Sequence, residues 1–586
     1  MPRDHSIKSM NKPVRIFSKY FYWEVTLVSL GFILLYLVLA IFARGGILST
    51  DIIGYTDASI KGVSHPSILN RYFNVFLTAF FLKLVHNPIL ALQDYWAFLI
   101  SATCGLIYLA ARVFRKHSSV LHGIVAVGLF LSISEIADTA GMPLIDVAAM
   151  FMVLLFATVM ILSARRGHDS FVLVTALGFL FYLAFRTKET ALPFGILFLG
   201  LGMRDQERFN WKLWLKRMVF VLVGMVVGML FFIILNTIFL HNPLFGFRIR
   251  DFQEFLSTYA SNVLGMSKTG GSDSWYSIYF FTSLMIPFVL YLVSAVRVNL
   301  AGEAYPGTRL VWLVPLLLII FVTLLIGDLF GFSRRFIFPT LPVICFLAPQ
   351  FMNLDIAALA NKKDRWWAVG IIVIGLLLTA ILRIALRLIV PHLGWEISSF
   401  LSVAFIPVIL SIILGMAFYW KNLSINLSLV IMILVIAIIS IPLVKNAKTV
   451  FRDQPNYTAS LEFFYPFIIF QDQIQFTPDM KMLVATDYWT TVGMSHMVKD
   501  RNEISGLFNV YFGVMSTREN FVLQAENSST PAGLLSTNFS YALLSQKDWN
   551  LIVLDPAITA QLEAKYQIIP DSRNVLVLLR LKSGYP

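Results

Sequence analysis

Apolar runs of about 20 residues recur along the first 444 positions, and many are closed by a short cluster of basic residues. A run of that length, wound as an α-helix at ~1.5 Å per residue, matches the ~30 Å hydrocarbon core of a bilayer. Such runs fall at 21–42, 94–113, 119–134, 143–163, 170–185, 190–203, 216–240, 277–296, 309–328, 335–349, 366–390, 399–420 and 423–444. They predict a polytopic α-helical membrane protein with about thirteen transmembrane helices. With 58% hydrophobic and 13% charged residues and a mean hydropathy of +0.75, the chain has too little polar surface to face water over most of its area.

The distribution of charge gives the topology. Arg3, Lys8, Lys12, Arg15 and Lys19 precede the first run, which is long enough to stay in the membrane as a signal anchor. Lys and Arg favour the cytoplasmic side, so the N-terminus is expected inside. Successive inside connections then carry Arg112, Arg115 and Lys116; Arg165 and Arg166; Arg204, Arg208, Lys212, Lys216 and Arg217; and Lys362, Lys363 and Arg365. The formal net charge of +13 is thus spent on topology, and no continuous basic face is left for a nucleic acid. An odd number of crossings puts the tail beyond Val444 outside.

That tail differs in kind. From Lys445 to Pro586 the long apolar runs stop, and short strand-like stretches appear at Lys481–Asp487, Trp549–Asp555 and Asn574–Leu581. Helix-compatible segments such as Thr559–Lys565 separate them, which predicts an extracytoplasmic α/β domain over 445–586 with partly parallel strands, appended to a membrane domain over 1–444. Two expected outer loops are long. The first, 44–93, contains Asn70–Asn87, an apolar helix interrupted by Arg71 and Lys83 that suits the membrane interface. The second, 241–276, includes the flexible stretch Lys268–Ser274.

Phosphate-cradling loops, dinucleotide fingerprints, HExxH and GxSxG are all absent, so nucleotide-driven transport is disfavoured. Cys104 and Cys345 lie inside apolar runs and provide neither a disulfide framework nor a CxxC site. Gly224 and Gly228 form a GxxxG that close helix packing explains. What remains is a set of polar residues that the topology gathers at the outer face. Asp57 follows the first span, and Asp146 opens the fourth. Arg186, Lys188 and Glu189 lie between the fifth and sixth, Arg334 and Arg335 between the ninth and tenth, and Arg383 and Arg387 near the outer end of the eleventh. Each has a plain structural role open to it: a helix-start carboxylate answers the dipole, a loop aspartate caps a turn, and an interfacial arginine reaches for headgroups. Together they are what chemistry on a lipid-linked phosphate needs, since ionisable groups at membrane depth are costly to hold.

These features resemble the GT-C superfamily of membrane glycosyltransferases, in particular protein O-mannosyltransferases and lipid A aminoarabinose transferases. The resemblance rests on Asp57 shortly after the first span, the long first outer loop, Asp146, Lys188, the stretch RRFIFPTLP at 334–342, and the outer C-terminal domain. It implies transfer of a sugar from a polyprenyl-phosphate carrier to a glycan, lipid or protein acceptor on the outer face of the plasma (inner) membrane, with inversion. Asp57 would be the general base and Asp146 its companion, with Glu135 and Asp138 as rivals for the second place. Lys188, Glu189, Arg334 and Arg335 would bind substrate, and Tyr55 and His65 would touch the sugar. No Lys or Arg near Asp57 stands out as its structural partner. The chain departs from the family in having Ala58 after Asp57, where Asp-Glu is usual, and in lacking the Asp-x-Asp of oligosaccharyltransferases. The second departure argues against an obligatory divalent metal, and no other cofactor is implied.

A transporter or flippase of lipid-linked sugars is the alternative. It would call for buried charges at the bilayer midplane and commonly two similar halves, whereas here the charges gather at one face and no repeat is visible. The topology has its own test: a cysteine introduced at Ser529 should react with a membrane-impermeant thiol reagent in intact cells. Labelling only after lysis would invert the arrangement.

Overall fold

The computed structural model describes residues 19–43, 50–62, 71–85, 88–115, 118–142, 144–203, 209–251, 307–321, 334–351, 442–452, 455–485, 487–491, 501–512, 514–523 and 531–584, with scattered positions at 253–305 and 439–440. The runs expected at 366–390 and 399–420, Arg383, Arg387, His65 and Lys268–Ser274 lie outside the described residues. Among those described, four helices are long and apolar enough to cross a membrane: Trp23–Phe42, Ile89–Val113, Ile145–Arg165 and Trp211–Leu240. The protein is a polytopic helical membrane protein with a small C-terminal sheet.

The helices that build the site are α1 (Lys19–Phe42), α2 (Thr50–Lys61), α3 (Tyr72–Leu84), α4 (Pro88–Val113), α5 (Val120–Leu131), α6 (Ser134–Asp138), α7 (Ile145–Arg165), α8 (Phe171–Thr187) and α9 (Trp211–Leu240). α4 and α7 run through the protein interior, whereas α1 and α9 turn mostly apolar side chains outward, as lipid-facing helices do. α8 and α9 touch backbone to backbone. A Cβ added at Gly178 would fall 1.9 Å from the carbonyl oxygen of Val221, and one at Gly224 would fall 1.9 Å from that of Thr175. The GxxxG is therefore a packing device, because only glycine permits so close an approach without a hydrophobic force between helices in lipid.

Between α8 and α9 the segment Glu189–Gly202 winds as a 3₁₀ helix of 14 residues. Its buried residues Ala191, Phe194, Leu197 and Gly200 recur every third position, the period at which 3₁₀ side chains stack in a column.

Polar contacts fix which helix ends share a face. Glu24 near the start of α1 pairs with Arg112 near the end of α4. Arg217 near the start of α9 donates to the carbonyls of Leu201 (2.6 Å), at the end of the 3₁₀ segment, and Gly167 (2.5 Å), just after α7. At the other face Lys188, after α8, pairs with Asp146 in the first turn of α7. Arg71, which precedes α3, approaches Glu189 at 3.8 Å.

Several local expectations change. Asp57 sits in a helix and not in a loop, because TDIIGYTDASIK buries Ile52, Ile53, Tyr55 and Thr56 against the protein. α3 is held by the protein as much as by an interface: Tyr72, Phe73, Asn74, Val75, Phe76, Thr78, Ala79 and Phe81 are buried, and Arg71 and Lys83 flank that face without breaking it.

The C-terminal sheet has the order β2-β1-β3-β5-β4, built from β1 (Met482–Val484), β2 (Phe521–Leu523), β3 (Tyr541–Ser545), β4 (Tyr566–Pro570) and β5 (Leu576–Leu581). β1 pairs in parallel with β2 and β3, while β5 runs antiparallel to β3 and β4. Trp549–Asp555, expected as a strand, instead lies in and after the helix Gln546–Ile552. Ser545 caps that helix by accepting from the Asp548 N–H at 3.1 Å, and Leu551 in it and Leu554 after it are exposed. Lys565 is buried and donates to the carbonyls of Leu534, Leu535 and Thr537 at the end of another helix. Burial holds its ammonium below the usual lysine range. The helix Arg501–Phe512 joins this domain to the membrane helices by packing on α2, which puts the sheet at the same face as Asp57, Asp146 and Lys188.

Candidate active site

Asp57 is set by two elements. On α2 itself, Lys61 one turn later donates to Oδ2 at 2.8 Å, an arrangement the helical i, i+4 spacing favours. From the C-terminal domain, Asn509 donates through Nδ2 to Oδ1 at 2.6 Å. Lys61 is thus the partner that the sequence reading did not recognise. Both oxygens hold one donor each, and an ionised carboxylate accepts about two per oxygen, so acceptor capacity is left for a substrate hydroxyl. The side chain of Asp57 keeps 19% of its surface open.

Tyr55, two residues earlier, is buried, and its hydroxyl accepts from Arg71 Nη1 at 2.7 Å. Arg71 Nη2 lies 3.8 Å from Glu189 Oε1. Both Glu189 oxygens are buried and lack a hydrogen-bond partner, so Arg71 meets that carboxylate as an ion pair only. The next residue toward the N-terminus, Lys188, forms a buried ion pair with Asp146, the two side chains exposing 5% and 1%. The sequence reading gave Lys188 and Asp146 separate tasks, and the structure makes them partners. Asp146 Oδ2 is left buried without a hydrogen bond.

Arg186 completes the group. It is 4% exposed near the end of α8, and its guanidinium lies 4.1 Å from the Phe232 ring centre and 5.6 Å from that of Phe247. Its Nε and Nη2 are buried without hydrogen bonds, and no carboxylate pairs with it among the described residues. Cation–π contact offsets part of the desolvation, on the order of 2 kcal/mol, but leaves N–H donors unused. This was the least specified cation of the sequence stretch FRTKET, and its isolation is visible only in three dimensions.

The remaining expected residues are less informative. Arg334 and Arg335 open the 3₁₀ turn Arg334–Thr340, and their side chains lie outside the described residues. Glu135 is buried in α6 with Oε2 accepting from Ser134 at 3.2 Å, whereas Asp138 at the end of that helix is exposed. Among the described residues no three His, Cys, Asp or Glu side chains come together as a metal site.

No protein-family profile matches the chain, and no curated protein sequence does. Solved structures do. ArnT from Cupriavidus metallidurans bound to undecaprenyl phosphate superposes with a TM-score of 0.53 at 13% identity, covering 96% of this chain and 98% of that one. The chain shares the fold of that ArnT. The same ArnT in its apo state gives a TM-score of 0.48 at 14% identity over 96% and 98% of the two chains. An Archaeoglobus fulgidus oligosaccharyltransferase tethered to an acceptor peptide gives 0.43 at 11% identity over 97% of this chain and 75% of that one. On this shared fold the described acids and bases gather around α2, α3, the start of α7 and the end of α8.

Removing one partner of a buried pair costs about 3–5 kcal/mol, because the other charge is left uncompensated. Lys188→Ala should therefore lower the thermal midpoint of the detergent-solubilised protein strongly. The double replacement Lys188→Met with Asp146→Leu should recover most of that loss. A single replacement as stable as wild type would show that the pair is not buried in the folded protein.

Proposed function

We propose that this protein transfers a sugar from a polyprenyl-phosphate carrier to an acceptor at the outer face of the membrane. The observation that carries the reading is Arg186, a buried guanidinium with unused donors and, among the described residues, no counter-ion, beside the paired acids on an ArnT-like fold. A buried cation of this kind is costly unless an anion visits it, and a lipid phosphate supplies one with matching acceptor geometry. The similarity to a transferase crystallised with undecaprenyl phosphate supports the same ligand class.

In this reading Asp57 takes the proton of the acceptor hydroxyl as its oxygen attacks the anomeric carbon, and configuration inverts. The C1–O bond to phosphate breaks, and the phosphate leaves with the bonding electrons. Arg186 stabilises the charge that grows on it, helped by Lys188 and by Arg334 and Arg335 as further candidates. Asp146 holds Lys188 in place and so acts as a companion and not as a second base. Tyr55 and Arg71 hold α2 against Glu189, which sets the height of Asp57. His65 and Tyr55 are the proposed sugar contacts. The cations of the chain offset the phosphate charge, so no divalent metal is required. The reading includes about thirteen crossings, a cytoplasmic N-terminus, a membrane domain over 1–444 and an extracytoplasmic domain over 445–586 in the plasma (inner) membrane.

Purified protein incubated with radiolabelled undecaprenyl-phosphate hexoses and pentoses and a membrane-extract acceptor should transfer label to the extract. Asp57→Asn keeps size and should lower the rate roughly 10²- to 10⁴-fold. Arg186→Met should weaken use of the donor while raising the thermal midpoint of the donor-free protein, since a buried unpaired charge is removed. Transfer by Asp57→Asn at the wild-type rate would remove the base assignment. Absence of transfer with every donor, together with donor transit across vesicles, would favour a flippase.

A further inference from the structure

We infer that Asn509 of the C-terminal domain is a positioning residue for Asp57, so that this domain completes the catalytic centre; the inference rests on the reading of Asp57 as the base. The two residues are 452 positions apart and meet through Asn509 Nδ2 and Asp57 Oδ1 at 2.6 Å. Asn509 is fully buried, on the helix Arg501–Phe512.

The direction of this amide is not arbitrary. Its Oδ1 receives the Ser516 backbone N–H at 2.6 Å and the Ser516 hydroxyl at 2.7 Å. A backbone N–H can only donate, so the oxygen of the amide must face Ser516 and the NH₂ must face Asp57. Ser516 is in turn fixed by Ser505, one turn before Asn509 on the same helix, whose hydroxyl donates to the Ser516 carbonyl at 2.9 Å. The three residues are buried and form a closed polar network whose one outward donor is aimed at the carboxylate. The helix packs directly on α2 at Gly506, where an added Cβ would lie in ordinary contact, 3.4 Å from Ile53 and 3.8 Å from Asp57 Cβ.

A base acts well only if one lone pair is presented to the incoming hydroxyl in a fixed direction. Lys61 alone cannot do this for Asp57. It sits on the same helix, its long side chain is partly exposed, and it leaves the carboxylate free to rotate about the bond to Cβ. The second donor, from a rigid buried amide on a different element, fixes that rotation. The network therefore orients the base without contacting the substrate, which separates it from the phosphate-binding cations.

The test is a double-mutant cycle in the full-length protein, with the radiolabelled undecaprenyl-phosphate sugar that supports wild-type transfer. Asn509→Ala should lower kcat roughly ten- to hundredfold, as expected for loss of a charge-assisted hydrogen bond, with the donor KM unchanged. In an Asp57→Asn background the same change should have almost no further effect. Equal losses in both backgrounds, or a rise in KM alone, would assign Asn509 to domain packing and overturn the inference. Asp57→Asn at full activity would instead overturn the base reading on which it rests. Ser516→Ala, which removes one of the two donors that orient the amide, provides a milder variant if Asn509→Ala fails to fold, and should show the same kcat-only pattern. A readout free of turnover is modification of Asp57 by a water-soluble carbodiimide, followed by mass spectrometry. It should be several-fold faster in Ser516→Ala and Asn509→Ala than in wild type, and equal rates would count against the contact itself.

Discussion

The buried ion pair between Lys188 and Asp146 is the constraint around which the rest of the site is arranged. Two charges withdrawn from water repay their desolvation only when held in close, well-directed contact, so the pair ties the end of α8 to the start of α7. Glu189 and Arg186 flank Lys188 in the chain and are placed by the same tie. Arg71 then spans from Glu189 to Tyr55 and brings α2 into register with the membrane helices. Hydrophobic residues of similar volume would hold these helices together at lower cost, which makes the pair an expense associated with the charge of the site and not with its stability.

The electrostatic balance follows from this. Among the described residues Lys188 answers Asp146, Lys61 answers Asp57 and Arg71 answers Glu189, while Arg186 is left over against two aromatic rings. A low-dielectric setting magnifies that remainder, because little solvent is present to screen it. Among the described residues of the site, that guanidinium is the cation without a carboxylate beside it.

Four spans were legible because a span announces itself by length: α1, α4, α7 and α9 each appear as a long apolar run. The helical state of Asp57 was also readable in principle, since Asp57 and Lys61 stand at i, i+4 and Ile52, Ile53, Tyr55 and Thr56 form one buried side. It was missed because a short helix with a glycine in its middle resembles a loop. Trp549–Asp555 was misread for the opposite reason: its apolar alternation looks like a strand, but the serine three positions before Asp548 starts a helix. The pairing of Asp146 with Lys188, across 42 positions, and of Asp57 with Asn509, across 452, left no local trace. Such contacts depend on how helices meet, and neither periodicity nor charge clustering encodes that.

The 3₁₀ winding of Glu189–Gly202 has a consequence for depth. At ~2.0 Å per residue its 14 residues reach about 28 Å, close to the thickness of a bilayer core, whereas the same residues as an α-helix would reach only about 21 Å. Its lower end is held by the bridge between Met203 and Phe209 and its upper end by Lys188, so the segment is a screw of fixed length stretched between two anchors. Tightening or loosening its pitch would raise or sink Glu189 relative to the lipid headgroups. The level of Glu189 against the neighbouring helices is thereby written into the pitch of a single 3₁₀ segment.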